Sequence, residues 1–294
     1  MKVYIIILNY NNAEDTLKCI DSIKCIRHRH YHIVVVDNNS SPKCIQQLEQ
    51  NLGEDVTLIK NSDNNGYAAG NNVGIKYALQ NSANYIVILN NDVIVNETSF
   101  EPCLKLLKEN DDVAIAGPAI VDYSSGKLQS TGSMINFNKL TTPLINYDKE
   151  YIPSSALVDC DYVGGACLVF KSSLIDKIGL MPENYFLFWE EVEWCYKAKK
   201  QGLRVLCNLE SFVLHKGSAT INKISGLSTY FMERNKIIFA KRNISNPLCL
   251  VVSIIFLFLR NIYKMIRYDR KYFKYFSYYI DGLLERTNKG IFIE

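Results

Sequence analysis

Over the first ninety residues, short apolar runs alternate with stretches of helical length. Residues 3–8, 33–36, 56–59 and 85–89 are β-rich and almost continuously apolar, the pattern of strands covered on both faces. Between them, 13–25, 43–51 and 70–80 have the length of helices. Asn12 is placed to cap the first, with Glu14 and Asp15 in its opening turn. This alternation predicts βαβ units and a parallel sheet. Ligands of such sheets sit at the carboxyl ends of the strands. Three polar clusters fall there: Asn9-Tyr10-Asn11, Asp37-Asn38-Asn39-Ser40 and Asn90-Asn91-Asp92.

Further along, the pattern predicts a helix over 97–109, a strand over 113–117 and a loop-rich stretch to about 157. A strand through Asp161–Phe170, a helix over 190–201 and strands near 204–207 and 211–214 follow. From 225 onward the chain reads as helix, broken at Pro247. The chain thus divides into an α/β body, 1–243, and a helical extension, 244–294. In the extension, the apolar run Leu248–Leu259 has twelve residues, short of the roughly twenty that an unkinked helix needs to cross a bilayer. After it, Arg260, Lys264, Arg267, Arg270, Lys271 and Lys274 are interleaved with tyrosines and phenylalanines, a mixture suited to the headgroup layer. The extension is read as a membrane-interfacial segment, the alternative being a helical subdomain packed on the core.

Charge sharpens that division. The net +3 conceals +8 from Arg234 to the end, twelve basic against four acidic residues, and −5 before it. A basic tail on an acidic body points to an anionic partner, a membrane surface or a phosphorylated acceptor. Nucleic acid is disfavoured, because no recognition motif accompanies the charge. The chain, at 48% hydrophobic, can bury a large core. Nine cysteines form no C-x-x-C pair, which fits reduced, mostly buried thiols and a cytoplasmic chain. The opening apolar run reads as a strand rather than a signal peptide.

The candidate chemistry is acidic and metal-binding. Asp92 closes an apolar strand at the sheet rim, where a carboxylate can hold a divalent cation; alone, the tripeptide reads more readily as a turn or helix cap. His215, in Leu214-His215-Lys216-Gly217-Ser218, could add a nitrogen ligand to a metal such as Mn2+. His28, His30 and His32 alternate in a basic stretch that reads as a solvated connection. Glu190 and Glu191 open a probable helix among Phe188, Trp189 and Trp194, a setting for a general base. Gly66-Tyr67-Ala68-Ala69-Gly70-Asn71-Asn72 either lets backbone approach a ligand or simply starts a helix. There is no G-x-G-x-x-G and no P-loop.

Taken in order, Leu8-Asn9-Tyr10-Asn11, Val36 to Ser40, Asn64 to Asn72, Leu89 to Asp92, Gly164-Gly165-Ala166, Phe188 to Glu193 and His215 to Ser218 resemble the family 2 glycosyltransferases, in the bacterial rhamnosyltransferase-like branch. The resemblance spans about residues 1–240. It implies a GT-A-type, Rossmann-like α/β fold with a mixed, mainly parallel sheet flanked by helices, and inversion at the anomeric carbon. It implies a nucleoside-diphosphate sugar donor, held by Asn9, Tyr10, Asn11, Asp37, Asn65, Asn71 and Asn91. By the same resemblance Asp92, with His215, holds Mn2+ or Mg2+, Asn90 standing where the family has its first acid. Glu191 matches the catalytic base, with Glu190 and Glu193 as alternatives; Lys216 is a further candidate for stabilising charge. The acceptor in this branch is often a lipid-diphosphate-linked saccharide at the inner membrane face. The competing readings are a nucleotidyltransferase, which would carry a basic Gly-rich loop where Asn9 to Asn12 stand, and a non-catalytic binding protein.

Overall fold

The computed structural model describes residues 1–24, 26, 31–217, 226–268 and 270–286. Cys25, the Arg27 to His30 part of the histidine stretch, and Ser218 lie outside the described residues. Strands β1 (Val3–Asn9), β2 (His32–Asp37), β3 (Val56–Lys60) and β4 (Tyr85–Asn90) lie parallel in the order β3-β2-β1-β4. Helices α1 (Ala13–Lys24), α2 (Pro42–Asn51) and α3 (Tyr67–Gln80) make the crossovers. Both faces of β1 are covered: Val3, Ile5 and Ile7 pack in one core cluster with Ile20 and Ile23 of α1, Tyr4 and Ile6 in another with Ile75 of α3. That double covering is why β1 carries no polar alternation. Gly70 and Gly74 let α3 lie close on β1, because a Cβ at either position would strike Leu8 or Ile6.

Beyond β4 the sheet turns mixed. β5 (Val93–Ile94), α4 (Glu101–Glu109), β6 (Val113–Asp122), β7 (Leu128–Ser130), β8 (Leu157–Asp159), β9 (Cys167–Lys171), the short α5 (Leu174–Ile178), α6 (Glu190–Lys200) and β10 (Arg204–His215) follow in chain order. β9 runs antiparallel between β4 and β6, and β10 runs parallel to β6 with β5 antiparallel on its far side. The strands expected near 204–207 and 211–214 are one strand, interrupted by a bulge between Asn208 and Phe212. Asn208 Oδ1 accepts from the Glu210 amide there at 2.9 Å and bends the chain. The expected helix at 97 starts only at Glu101, because Asn96 Oδ1 and Ser99 Oγ hold residues 96–99 in a turn. The strand expected from Asp161 is confined to Cys167–Lys171, and α3 starts at Tyr67 rather than residue 70.

The C-terminal helices are α7 (Leu227–Asn243), α8 (Pro247–Arg267) and α9 (Tyr275–Leu283). Pro247 is the first residue of α8, where its missing N–H costs nothing, and Asn246 Oδ1 caps the Leu248 and Cys249 amides. The twelve-residue apolar run is therefore part of a 21-residue helix, long and apolar enough to cross a bilayer by length and composition. α9 folds back onto α7 closely enough that a Cβ on Gly282 would stand 2.5 Å from the Arg234 carbonyl. Leu257 of α8, Ile237 of α7 and Tyr279 of α9 share a small core, while Leu248, Val252, Ile255, Leu259, Tyr263 and Ile266 of α8 face outward. The eight described cysteines are all free, and only Cys249 is exposed.

Candidate active site

Register places the polar clusters on one edge. Asn9 pairs with Asp37 across β1 and β2, and Leu8 with Asn90 across β1 and β4. Asp37 is fully buried and accepts from Asn9 Nδ2 at 2.6 Å and the Ser40 amide at 2.9 Å. Asn9 Oδ1 in turn accepts from Thr16 Oγ1 at 2.8 Å, so Asn9 holds Asp37 and α1 together. Asn11, at φ 52°, ties the two loops by donating to Ser40 Oγ and accepting from the Ser41 amide, both at 2.8 Å. Of the residues expected to touch the donor, Tyr10 and Asn65 are exposed on this edge, while Asn91 Nδ2 donates to Thr16 Oγ1 at 3.0 Å. Asn71 is buried, with its Oδ1 unpartnered.

Asp92 and His215 meet through strand pairing, His215 lying opposite Val93 and the Lys216 amide donating to the Asp92 carbonyl at 3.1 Å. His215 Nε2 stands 3.3 Å from Asp92 Oδ1, but the approach is not a hydrogen bond, and among the described residues the buried Nε2 has no hydrogen-bond partner. On the other side of the ring, Nδ1 meets Gln129 Oε1 at 2.7 Å. An orphaned nitrogen facing a buried carboxylate is a donor set of the kind a divalent cation takes. Among the described residues no group of three or more His, Cys, Asp or Glu forms a closed cage, so the pair could supply only part of a coordination shell. Lys216 Nζ is paired with Asp15 of α1 at 2.5 Å and lies over the Tyr123 ring.

The acidic helix start stands on the same rim. Tyr67 Oη donates to the Gly165 carbonyl at 2.7 Å and to Asn90 Oδ1 at 3.1 Å, and a Cβ on Gly165 would lie 3.5 Å from Glu191 Oε1. Burial pushes the Tyr67 phenol well up, and the charges of Glu190, Glu191 and Asp92 push it the same way. Burial raises Glu191 to about 7, against the opposing pull of the helix-start amides. Glu190 is raised as well, by burial and by its neighbour Glu191. Glu193 differs: Arg242 clasps it with Nε at 2.9 Å and Nη2 at 3.0 Å, and Tyr185 donates to it. Its burial is outweighed by those partners, which hold it low. Neither Glu190 nor Glu191 makes a salt bridge among the described residues, and Glu191 is the one beside Gly165.

The backbone that aims Glu191 is strained. Phe186, Phe188 and Trp189 take φ values of 67°, 66° and 78°, left-handed conformations that cost roughly 1–3 kcal/mol each for bulky residues. Asn235 of α7 holds this turn, its Nδ2 within 3.1, 2.7 and 2.8 Å of the Tyr185, Leu187 and Phe188 carbonyls. Arg234, also buried, donates to the Tyr185 carbonyl at 3.3 Å and the Asn235 Oδ1 at 2.6 Å. The Tyr67 amide donates to the Phe186 carbonyl at 2.7 Å, so the Gly66 turn braces the other side. Neither Arg234 nor Asn235 stands out in the sequence, where they read as ordinary polar positions of a helix. Asn235→Ala should lower kcat more than about tenfold while leaving donor affinity near normal, and cost about 2 kcal/mol in urea unfolding through the orphaned carbonyls. Equal losses in kcat and donor affinity would contradict a role confined to the turn.

The sequence pattern described as Glycosyl transferase family 2 matches residues 4–177. The low-salt glycan biosynthesis hexosyltransferase Agl10 of Haloferax volcanii is 26% identical over 206 residues, 68% of this chain and 62% of that protein. The chain thus spans less than two thirds of Agl10. The dTDP-rhamnosyl transferase RfbF of Shigella flexneri is 24% identical over 249 residues, 82% of this chain and 80% of its own. GalNAc-T7, crystallised with UDP, GalNAc and Mn2+, superposes with a TM-score of 0.58 at 14% identity, over 81% of this chain and 51% of that one. Staphylococcus aureus TarS, residues 1–349, does so at 0.58 and 13%, over 96% and 81%. The shared fold is of the GT-A type.

Proposed function

The chain belongs to glycosyl transferase family 2, and on that premise we propose that it moves a hexosyl unit from a nucleoside-diphosphate sugar to a saccharide hydroxyl, with inversion. The observation that carries this reading is that Tyr67 ties the Gly165 backbone, beside Glu191, to Asn90, two residues before the Asp92 that faces His215. Glu191 takes the proton of the acceptor hydroxyl as its oxygen bonds to the anomeric carbon. The bond from that carbon to the diphosphate oxygen breaks on the opposite face, and the proton stays on the Glu191 carboxyl. A pKa near 7 leaves the base about half ionised at neutral pH and stronger than an ordinary carboxylate. Asp92 and His215 are the residues that would hold Mn2+ or Mg2+, with donor diphosphate oxygens completing the shell. Such a cation, when bound, supplies charge neutralisation of the leaving diphosphate.

Rhamnose heads the candidate donors because of the similarity to the dTDP-rhamnosyl transferase RfbF. A panel of nucleotide sugars, assayed for nucleoside-diphosphate release with Mn2+, should yield one strongly preferred donor. Release from none of them, with and without saccharide acceptors, would sink the reading.

We further propose that the acceptor is a lipid-linked saccharide, made for a cell-surface polysaccharide, and that the chain works on the inner face of the membrane. The support is α8, whose outward Leu248, Val252, Ile255, Leu259 and Ile266 form an apolar stripe more than half exposed. Arg267 and Tyr268 flank it, and the surrounding segment is strongly basic. Deleting residues 245–294 is a poor test, since α9 covers Ile237 and Tyr230 of α7. The double variant Ile255→Glu, Leu259→Glu should instead weaken flotation with phosphatidylglycerol vesicles more than about tenfold at unchanged Tm. Unchanged flotation would remove α8 as the contact surface.

A further inference from the structure

Gln129, in β7, has an amide whose orientation is settled by its surroundings. Its Nε2 donates to Asp122 Oδ2 at 3.0 Å and to the His215 carbonyl at 3.1 Å. Both partners are oxygens without a proton to give, so a flipped amide would set its own oxygen against two acceptors. Asp122 is in turn held by the Ser125 amide at 2.8 Å and by the Ser124 hydroxyl at 2.6 Å. Gln129 Oε1 is therefore the atom that faces His215 Nδ1 at 2.7 Å.

An amide oxygen only accepts, so Nδ1 must carry a proton. In the neutral ring Nε2 then bears the lone pair, and that buried atom lies 3.3 Å from Asp92 Oδ1 with no hydrogen bond. Two electron-rich atoms held face to face repel each other unless positive charge sits with them. The tautomer is the decisive feature. With the proton on Nε2 instead, His215 would turn a donor towards Asp92 and have no lone pair for a cation.

We infer that Gln129 is a positioning residue, which fixes His215 as the Nδ1–H tautomer and so keeps its Nε2 lone pair, beside Asp92, available to a divalent cation. The inference rests on the reading of Asp92 and His215 as cation ligands. It deepens that reading by adding the chain Asp122–Gln129–His215–Asp92, which links the β6–β7 hairpin to the β5–β10 pair. Partners behind a metal-binding histidine commonly carry a 10–100-fold share of metal affinity.

The test is long-range 1H–15N correlation on the full-length, 15N-histidine-labelled protein at pH 8 without metal, with His215→Ala assigning the signal. It is paired with Mn2+ titration followed by electron paramagnetic resonance. Wild type should show a protonated Nδ1 and a pyridine-like Nε2. Gln129→Met, similar in size but without donor or acceptor, should move the proton to Nε2 and raise the Mn2+ Kd by about 10–100-fold. A wild-type ring protonated on Nε2, or on both nitrogens, overturns the inference. So does Gln129→Met with unchanged tautomer and Mn2+ affinity, provided that Asp92→Ala and His215→Ala lose the ion; that result spares the cation reading. Equal Mn2+ affinity in wild type, Asp92→Ala and His215→Ala sinks the cation reading and the inference with it.

Discussion

Asp92→Ala should abolish Mn2+-stimulated nucleotide release, by about 10³-fold or more, if the cation supplies some 4 kcal/mol to the leaving diphosphate. The fold should survive. The pairing of β5 with β10 uses the Asp92 carbonyl, which alanine retains, and among the described residues the buried carboxylate makes no hydrogen bond that would leave a partner stranded. Its removal even relieves the approach of two electron-rich atoms at 3.3 Å. The expected signature is an unchanged or slightly raised Tm together with lost activity, and a chelator should reduce wild type to the level of the variant. Activity retained in Asp92→Ala would remove this carboxylate from the chemistry.

Glu191→Gln is the second large effect. It should cut kcat by about 10²–10⁴-fold, the usual contribution of a general base, with donor affinity near normal. The pH dependence follows from the direction of the shift. Wild-type kcat/KM should climb as pH rises through about 7, where the base ionises, and that limb should vanish in the variant. Stability has the opposite slope. Glu191 and Glu190 both hold their protons longer when folded than at the unfolded value near 4.5, so their contribution is complete below that pH and is lost as pH rises through the folded values, about 7 for Glu191. Glutamine does not titrate, and Glu191→Gln should therefore melt higher than wild type at pH 8 and about equally at pH 4.5. Scanning calorimetry at the two pH values checks this. A Glu193→Gln variant should lose stability instead, since it strips Arg242 of its partner.

These effects come from parts of the molecule that differ in how plainly the sequence announces them. The parallel half of the sheet is written in strands such as Val3-Tyr4-Ile5-Ile6-Ile7, because covering on both faces leaves an unbroken apolar run. The rim clusters are legible too, since each begins at the last residue of its strand, Asn9, Asp37 and Asn90. What lay beyond reach depended on contacts between distant segments. Asn235 looks like any helix asparagine until α7 sets it under three carbonyls of the turn before Glu190. Gln129 sits in a stretch that reads only as loop, and its meaning comes from Asp122 and from His215, 86 residues away. The bulge at Asn208–Phe212 made one strand look like two, because a bulge breaks the period of two on which strands are read. The apolar run Leu248–Leu259 reads as too short for a span because the basic residues on the last turns of α8 interrupt the apolar sequence but not the helix.

Anomalous diffraction at the manganese edge, from crystals grown with Mn2+ and the preferred donor's nucleoside diphosphate, bears on all of this at once. The proposed site predicts one strong peak about 2.0–2.3 Å from both an Asp92 carboxylate oxygen and His215 Nε2, with diphosphate oxygens in the same shell. A peak bound only by phosphate, with Asp92 and His215 paired to each other, would contradict it.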